Sequence, residues 1–253
     1  MYGLAGIAVA ADGPVRVVTL DEPDTLNAFS EQMHESFLAL WPRLDADENA
    51  RAVVLTGAGR AFSAGGSFED FERRRVDLEF RARAMRQARE IVEAMIDCPL
   101  PVVAAVNGPA VGLGCSISTL CDIVFIADGA FLADPHVSVA LVAGDGGAVT
   151  WPAHTSLLKA KQYMLTGDRI PAHDAVAMGL ANFVVPIDAL LDAAVAFAHR
   201  LAAQPPQAVR ETKRLLNAQL RANAERGLQA GLDAEYASHD TAEYKAAAEA
   251  MRP

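Results

Sequence analysis

Residues 52–66 read AVVLTGAGRAFSAGG, and residues 101–120 read PVVAAVNGPAVGLGCSISTL. Each stretch contains a short apolar run rich in β-branched residues, at 52–56 and 102–106, which predicts a buried strand. Each predicted strand runs into a glycine-rich turn, where glycine indicates backbone that must approach something closely. Residues 115–120 then predict a helix whose free N-terminal N–H groups point towards the second turn and favour a developing negative charge.

The same kind of pattern extends over the rest of the chain and predicts an α/β fold. Further apolar runs predict strands at residues 7–10, 15–20, 123–127 and 183–185. Between strands, Met33, Phe37 and Leu40 recur at helical spacing behind Ser30, a residue type suited to capping a helix. Strands that alternate with helices are typical of an α/β core.

The character of the sequence changes near residue 188. Alanine-rich segments predict helices at residues 190–203, 208–224, 228–238 and 242–251, with a break at Pro205 and Pro206. We therefore predict an α/β core over residues 1–187 and a C-terminal helical region over residues 188–253, as a subdomain or as part of the same domain.

Composition restricts the classes of function. The 253 residues are 52% hydrophobic, yet no run of eighteen apolar residues and no basic-then-apolar leader occurs. We expect a soluble, cytoplasmic protein that does not bind membranes. Three cysteines, Cys98, Cys115 and Cys121, lie in apolar contexts and are odd in number, which predicts buried reduced thiols.

The net charge of −10 argues against a nucleic-acid partner, because binding phosphates requires a basic surface. An anionic substrate would need local positive charge. One basic stretch runs from residue 73 to residue 89 and contains seven arginines. This stretch either forms a solvated helix face or supplies local positive charge that binds such a substrate.

The ordered motifs of the chain resemble those of the enoyl-CoA hydratase/isomerase, or crotonase, superfamily. They are LDEP at 20–23, LNAFS at 26–30, AFSAGG at 61–66, PVVAAVNG at 101–108, CDI at 121–123, LTG at 165–167 and ETK at 211–213. Neither glycine-rich turn fits a phosphate-binding loop, because no Gly-Lys-Ser/Thr follows the glycines.

The resemblance implies a crotonase-like spiral of ββα units, with C-terminal helices that pack homotrimers, often paired into homohexamers. It implies an acyl-CoA substrate, with coenzyme A present only as part of that substrate and no separate cofactor. The thioester oxygen would be held by the N–H groups of Gly66 and Leu113. Ala61 and Ala64 match positions whose backbone meets the adenine, and Lys213 or Arg60 could meet the phosphates; the alternative for Lys213 is an exposed helix charge.

The chain departs from the family at the two glutamates that position water and move protons in a standard hydratase. Ser116 and His136 occupy the matching positions. Serine cannot act as a base without an activating partner, so Ser116 is expected to orient or pack. His136 could exchange protons near neutrality or merely hydrogen-bond the wall of the site.

Asp145, in the turn Gly144-Asp145-Gly146-Gly147, is the leading candidate for proton transfer. Some superfamily members with other chemistries have a functional aspartate near this point. Burial in an acyl pocket is expected to raise the pKa of Asp145 into a useful range. The alternative is an aspartate that caps the helix beginning near Gly146.

Three functional hypotheses remain open at this point. The first is an enzyme that moves the double bond of an unsaturated acyl-CoA, or acts on a β-oxo acyl-CoA, with Asp145 and His136 transferring the proton. The second is hydration, with water held between these two side chains. The third is a non-catalytic acyl-CoA-binding protein. The other histidines show no metal-ligand spacing, so no metal site is predicted.

Overall fold

A computed structural model describes residues 2–250, apart from the side chain of Phe68. Within these residues the main sheet has six strands in the order β1-β2-β3-β4-β6-β9. They are β1 (Ile7–Asp12), β2 (Val15–Leu20), β3 (Ala52–Gly57), β4 (Val102–Val106), β6 (Ile123–Ala127) and β9 (Phe183–Val185). β1 and β2 are antiparallel, and the other neighbours are parallel. The six predicted strands are confirmed.

A second, smaller sheet was not predicted. It contains β5 (Ala110–Val111), β7 (Phe131–Ala133) and β8 (Ile170–Pro171), in the order β5-β7-β8. Strands of two or three residues are too short to show the period-two pattern that identifies a strand in a sequence. β5 matters for the site, because it lies within the second glycine-rich turn.

Several helices contribute residues to the cavity described below. They are α1 (Glu31–Asp45), α2 (Phe68–Val76), α3 (Leu78–Asp97), α4 (Leu113–Leu120), α5 (Gly147–His154), α6 (Leu157–Thr166), α7 (Ala172–Met178), α8 (Leu190–Ala202), α9 (Pro206–Ser238) and α10 (Ala242–Ala250). The predicted start of α1 is confirmed, since the Met33 N–H donates to Ser30 Oγ at 3.2 Å. Its apolar face, including Phe37 and Leu40, is fully buried.

The C-terminal helices pack directly on the rest of the fold. Helix α8 packs on β2, β3, β4 and β6, while α9 packs on α3 and α5. The predicted break between residues 224 and 228 is wrong, because α9 continues through it. A β-carbon added at Gly227 would have no neighbour within 4 Å, and an exposed glycine in a helix costs only about 1 kcal/mol. The end of the last predicted helix, Met251, lies outside the described residues.

The three cysteines belong to the buried core. All three cysteines are buried free thiols, as predicted. Among the helices that the structure describes, none has both the length and the apolar character to cross a bilayer. The division at residue 187 falls beside a short 3-10 turn, Ile187–Ala189, and the two-part organisation stays a prediction.

Candidate active site

The two glycine-rich turns meet. The Val111 N–H donates to the Ser63 carbonyl oxygen at 2.9 Å, which aligns the turns side by side. Gly65, at φ +83°, lies so close to the second turn that a β-carbon there would be 2.6 Å from the Val111 carbonyl oxygen. Only glycine fits such a contact. The residues that follow the contact in each turn, Gly66 and Leu113, are thereby brought to one place.

Gly66 and Leu113 both line a cavity of about 500 Å³. Leu113 is the first residue of α4, so its N–H has no acceptor within the helix. Neither this amide nor that of Gly66 donates a hydrogen bond to any residue between 2 and 250. Two unsatisfied donors at the wall of one cavity can stabilise a single anionic oxygen.

His136 and Asp145 also line the cavity. His136 Nε2 lies 3.4 Å from Asp145 Oδ2, and its Nδ1 contacts Asp134 Oδ1. Ser116 Oγ donates to the other Asp145 oxygen at 3.2 Å. Helix α5 begins after Gly146 without a side-chain cap. Asp145 is therefore held by Ser116 and His136 and does not cap the helix.

The charges of this group are set by mutual interaction. Burial alone would lower the pKa of His136, but the Asp145 and Asp134 carboxylates outweigh burial and raise that pKa well above its usual value. Burial alone would raise the pKa of Asp145, but the imidazolium and the Ser116 hydrogen bond outweigh it and lower that pKa. The expected rise in the pKa of Asp145 is therefore wrong, because sequence reasoning counted burial without the paired histidine.

Asp134, His136 and Asp145 have ligand atoms within 4.8 Å of one another, close enough to hold a metal ion. However, the two carboxylates contact different ring nitrogens, Nδ1 and Nε2. One ion cannot bind both carboxylates and a nitrogen without separating at least one of these contacts. The arrangement fits a hydrogen-bonded chain better, and a metal-free site stays a prediction.

Glu235 on α9 also lines the cavity, and sequence reasoning missed it. Its side chain is 2% exposed, and its Oε2 has no hydrogen-bond partner among the described residues. Burial raises the pKa of Glu235 to about 7, with the His136 charge opposing the rise. The sequence feature that could have indicated Glu235 was Gly231, which lies one helical turn before it on α9. A β-carbon on Gly144 would lie 2.4 Å from the Gly231 carbonyl oxygen, so the glycines let α9 approach the Asp145 turn.

Of the other residues predicted to contact the substrate, some line the cavity and others do not. Ala64 lines the cavity, whereas Ala61 and Ser116 are not part of its wall. The Ala61 carbonyl oxygen already accepts hydrogen bonds from the Asn27 and Asn107 side chains. Ser116 instead donates its hydrogen bond to Asp145, and its orienting role stays a prediction. The contacts of Ala61 and Ala64 with adenine stay predictions.

Lys213 does not face the cavity. Its Nζ donates to the Leu100 carbonyl oxygen and to Asp122 Oδ2, both at 2.7 Å, and the side chain is buried. Asp122 Oδ2 also accepts from the Val102 N–H. The prediction that Lys213 binds the phosphates of coenzyme A is wrong, as is the alternative of an exposed charge, because this ion pair fastens α9 to the start of β4.

The arginine-rich stretch divides into two classes. Most members lie at least partly exposed, and Arg73 and Arg83 pair with Glu31 at 2.9 and 2.7 Å. Arg74 and Arg81 are buried, so a uniformly solvated face is wrong. Arg74 lines the cavity.

Comparison with known proteins agrees with this geometry. The family model described as enoyl-CoA hydratase/isomerase matches residues 11–252. A crystal structure of an enoyl-CoA hydratase/isomerase from Mycobacterium paratuberculosis superposes with a TM-score of 0.95 and 49% identity, over 99% of this chain and 100% of that one. A candidate enoyl-CoA hydratase of Thermus thermophilus is 37% identical over 81% of each chain.

A short-chain-enoyl-CoA hydratase of Clostridium acetobutylicum is 29% identical over 91% of this chain and 85% of its own. The solved relative has the crotonase fold that the motifs implied, which confirms the predicted fold class. The chain therefore belongs to the enoyl-CoA hydratase/isomerase family.

Proposed function

We propose that this protein is an acyl-CoA enzyme that stabilises a thioester enolate with the N–H groups of Gly66 and Leu113. The observation that carries the proposal is that both residues line one cavity and that neither amide has an acceptor among residues 2–250. Coenzyme A enters as part of the substrate, and the chemistry requires no metal or separate cofactor.

The reaction requires stabilisation of the negative charge that develops on the thioester oxygen. Removing a proton beside a thioester places negative charge on the carbonyl oxygen, and each preorganised donor lowers that barrier by roughly 3 to 4 kcal/mol. Backbone donors do not depend on the side chain, so leucine is acceptable at position 113. Its isobutyl group narrows the acyl part of the cavity.

Proton transfer is assigned to Asp145 and His136, which stand at the same cavity as the two amides. Asp145 removes a proton from the acyl carbon: a C–H bond breaks, an O–H bond forms, and the electron pair moves to the thioester oxygen. The His136 imidazolium gives its proton to another carbon of the resulting enolate, and a new C–H bond forms. The proton on Asp145 then crosses the 3.4 Å gap to His136 and restores the starting state.

This sequence of steps moves a double bond without adding water. It needs a mobile proton but no pair of glutamates to orient water, and the chain has Ser116 and His136 where a standard hydratase has those glutamates. Isomerisation of an unsaturated acyl-CoA is therefore the reaction that the charged groups support best.

Hydration is the second candidate, because two of the relatives reported above are named for enoyl-CoA hydratases. It would require water to be held by His136 and Asp145 together. Their separation of 3.4 Å leaves no room for a water between them, so the molecule would have to lie to one side.

Turnover of a panel of 2-enoyl-, 3-enoyl- and dienoyl-CoA thioesters, followed spectrophotometrically, separates these reactions. We expect interconversion of double-bond isomers to exceed hydration. Faster hydration of a 2-enoyl-CoA would select the second candidate. Tight binding of the panel with no turnover of any member would contradict both and identify a non-catalytic binder.

We expect Asp145→Asn to lower kcat at least tenfold while the Kd for acyl-CoA changes little, because the amide cannot accept the proton. Asp168→Asn, at an exposed aspartate, is the matched control. Unchanged turnover in Asp145→Asn would remove Asp145 from the mechanism.

The assembly and location of the enzyme belong to the same proposal. We propose a cytoplasmic homotrimer or homohexamer formed through the C-terminal region. Large apolar side chains on α9 support a contact with further copies through this region, since Leu215 and Leu216 are 66% and 71% exposed in the single chain.

A further inference from the structure

Arg74 is a buried cation that faces the cavity. It lies on α2, is 8% exposed, and forms part of the cavity wall. A β-carbon placed on Gly66 would be 3.7 Å from Nη1 and 3.9 Å from Nη2 of Arg74. The guanidinium therefore stands beside one of the two proposed oxyanion donors.

Arg74 has no partner within the described part of the chain. Its Nε is buried without a hydrogen-bond acceptor, and neither terminal nitrogen forms an ion pair or hydrogen bond with residues 2–250. A buried charge that is neither paired nor hydrogen-bonded costs several kcal/mol, roughly. A group that binds in the cavity and supplies the missing acceptor would offset this cost.

Arg81, a second buried arginine of the same stretch, provides a comparison for Arg74. It is completely buried, and its nitrogens donate to the carbonyl oxygens of Arg74, Arg75 and Tyr236 and to Asp240 Oδ1, at 2.8 to 3.2 Å. Every nitrogen of Arg81 has an acceptor. Among residues 2–250, Arg81, away from the cavity, has all its acceptors, whereas Arg74, which lines the cavity, has none.

The acidic groups nearest Arg74 interact with its charge but form no ion pair with it among residues 2–250. Burial raises the pKa of Asp70, although Arg74 opposes the rise, and no Asp70 oxygen lies within ion-pair distance of the guanidinium. Asp145 is engaged by His136 and Ser116. Burial raises the pKa of Glu235 to about 7. His34, whose pKa burial lowers to about 4, adds no second cation.

We propose that Arg74 binds a carboxylate carried on the acyl group, so that the substrates of this enzyme are CoA thioesters of dicarboxylic acids. The guanidinium presents paired donors that match the two oxygens of a carboxylate. The inference rests on the proposed function, because the thioester oxygen must first lie at Gly66 and Leu113.

The geometry also restricts the length of the acyl group. Since the guanidinium is so near Gly66, the bound carboxylate must lie within a few ångströms of the thioester carbonyl. That spacing corresponds to roughly one to three intervening carbon atoms. The side chains of Ala84, Met85 and Leu141, which also line the cavity, are apolar and cannot themselves bind a carboxylate.

Isothermal titration of the full-length protein with glutaryl-CoA and valeryl-CoA tests the inference. The two ligands have equal carbon number and differ in one terminal carboxylate. We expect the wild-type protein to bind glutaryl-CoA at least tenfold more tightly. We expect Arg74→Gln to bind both ligands alike, whereas Arg86→Gln, at an exposed arginine of α3, should retain the preference.

The outcomes separate this inference from the proposed function. Equal binding of both ligands by the wild-type protein would overturn the carboxylate site and leave the acyl-CoA function standing, and this comparison needs no variant. A preference that persists in Arg74→Gln would overturn the role of Arg74. Failure of the wild-type protein to bind either ligand would overturn the acyl-CoA function itself, and the carboxylate site with it.

Discussion

The cavity is built from two parts that act on a substrate by different means. The backbone wall consists of the amides of Gly66 and Leu113, which offer partial positive charge whatever their side chains are. The charged wall consists of Arg74, His136, Asp145 and Glu235, whose properties depend entirely on the side chains. The backbone wall is suited to stabilising any thioester enolate, whereas we propose that the charged wall selects the acyl group and transfers the protons.

The two walls also differ in how their parts respond to one another. The amide donors are fixed by chain geometry and do not titrate. In the charged wall, His136 lowers the pKa of Asp145, and Asp145 and Asp134 raise that of His136. A change at one member therefore alters the others, and single substitutions there are not expected to be additive.

The largest effect is expected from removing one donor of the backbone wall. Leu113 is the first residue of α4, a position where proline is tolerated because its missing N–H has no helical acceptor. We expect Leu113→Pro to lower kcat by about 10²- to 10³-fold. Leu113→Ala, which keeps the N–H and removes the same side chain, is the control. Steady-state kinetics that show equal losses in both variants would remove this amide from the mechanism.

The next largest effect is expected from Lys213→Met, which tests whether Lys213 belongs to the charged wall. Lys213 is buried in an ion pair with Asp122, away from the cavity. We expect Lys213→Met to lower the free energy of unfolding by about 2 to 4 kcal/mol, because it leaves the carboxylate without its partner. The Kd for acyl-CoA should not change. Chemical denaturation and titration calorimetry measure both quantities, with Lys161→Met as the exposed control. Weaker acyl-CoA binding with unchanged stability would restore Lys213 as a ligand contact.

The smallest effect concerns the pH dependence that Glu235 adds to the charged wall. Its pKa is about 7 in the folded protein, against 4.5 for an ordinary glutamate. The folded state therefore holds this proton more strongly, so the stability is complete below about pH 4.5 and is lost as the pH rises through 7.

Glu235→Gln cannot titrate and should remove that loss. Relative to the wild type, we expect its free energy of unfolding to gain on the order of 2 kcal/mol between pH 5 and pH 8. Denaturation across this pH range measures the difference, with exposed Glu243→Gln as the control. A parallel pH profile of the wild type and Glu235→Gln would contradict an elevated pKa at this residue.

The sequence predicted the backbone wall because its information is local. Each donor lies in a glycine-rich turn that follows a strand, and the resemblance of these motifs to the enoyl-CoA hydratase/isomerase family gave the position of each amide. The charged wall was predicted only in part. His136 and Asp145 stand close together in the sequence, but Glu235 reaches them from α9, ninety residues later, through the approach of Gly231 to Gly144.

The errors have the same origin. Lys213 and Arg74 are both basic residues on helices, and nothing in their local sequence distinguishes one that is paired from one that is not. The distinction depends on Asp122, which is brought to Lys213 by tertiary packing, and on the absence of any such partner for Arg74 among residues 2–250. The pKa of Asp145 depended likewise on a histidine held in place by Asp134.

The central claim is that one thioester oxygen is held by two backbone amides from separate parts of the chain. A crystal structure with a bound saturated acyl-CoA tests it most directly. The account predicts that the thioester oxygen lies about 2.7 to 3.2 Å from both the Gly66 and the Leu113 nitrogen. A thioester carbonyl that turns away from either nitrogen, with that amide bonded to another part of the protein, would contradict it.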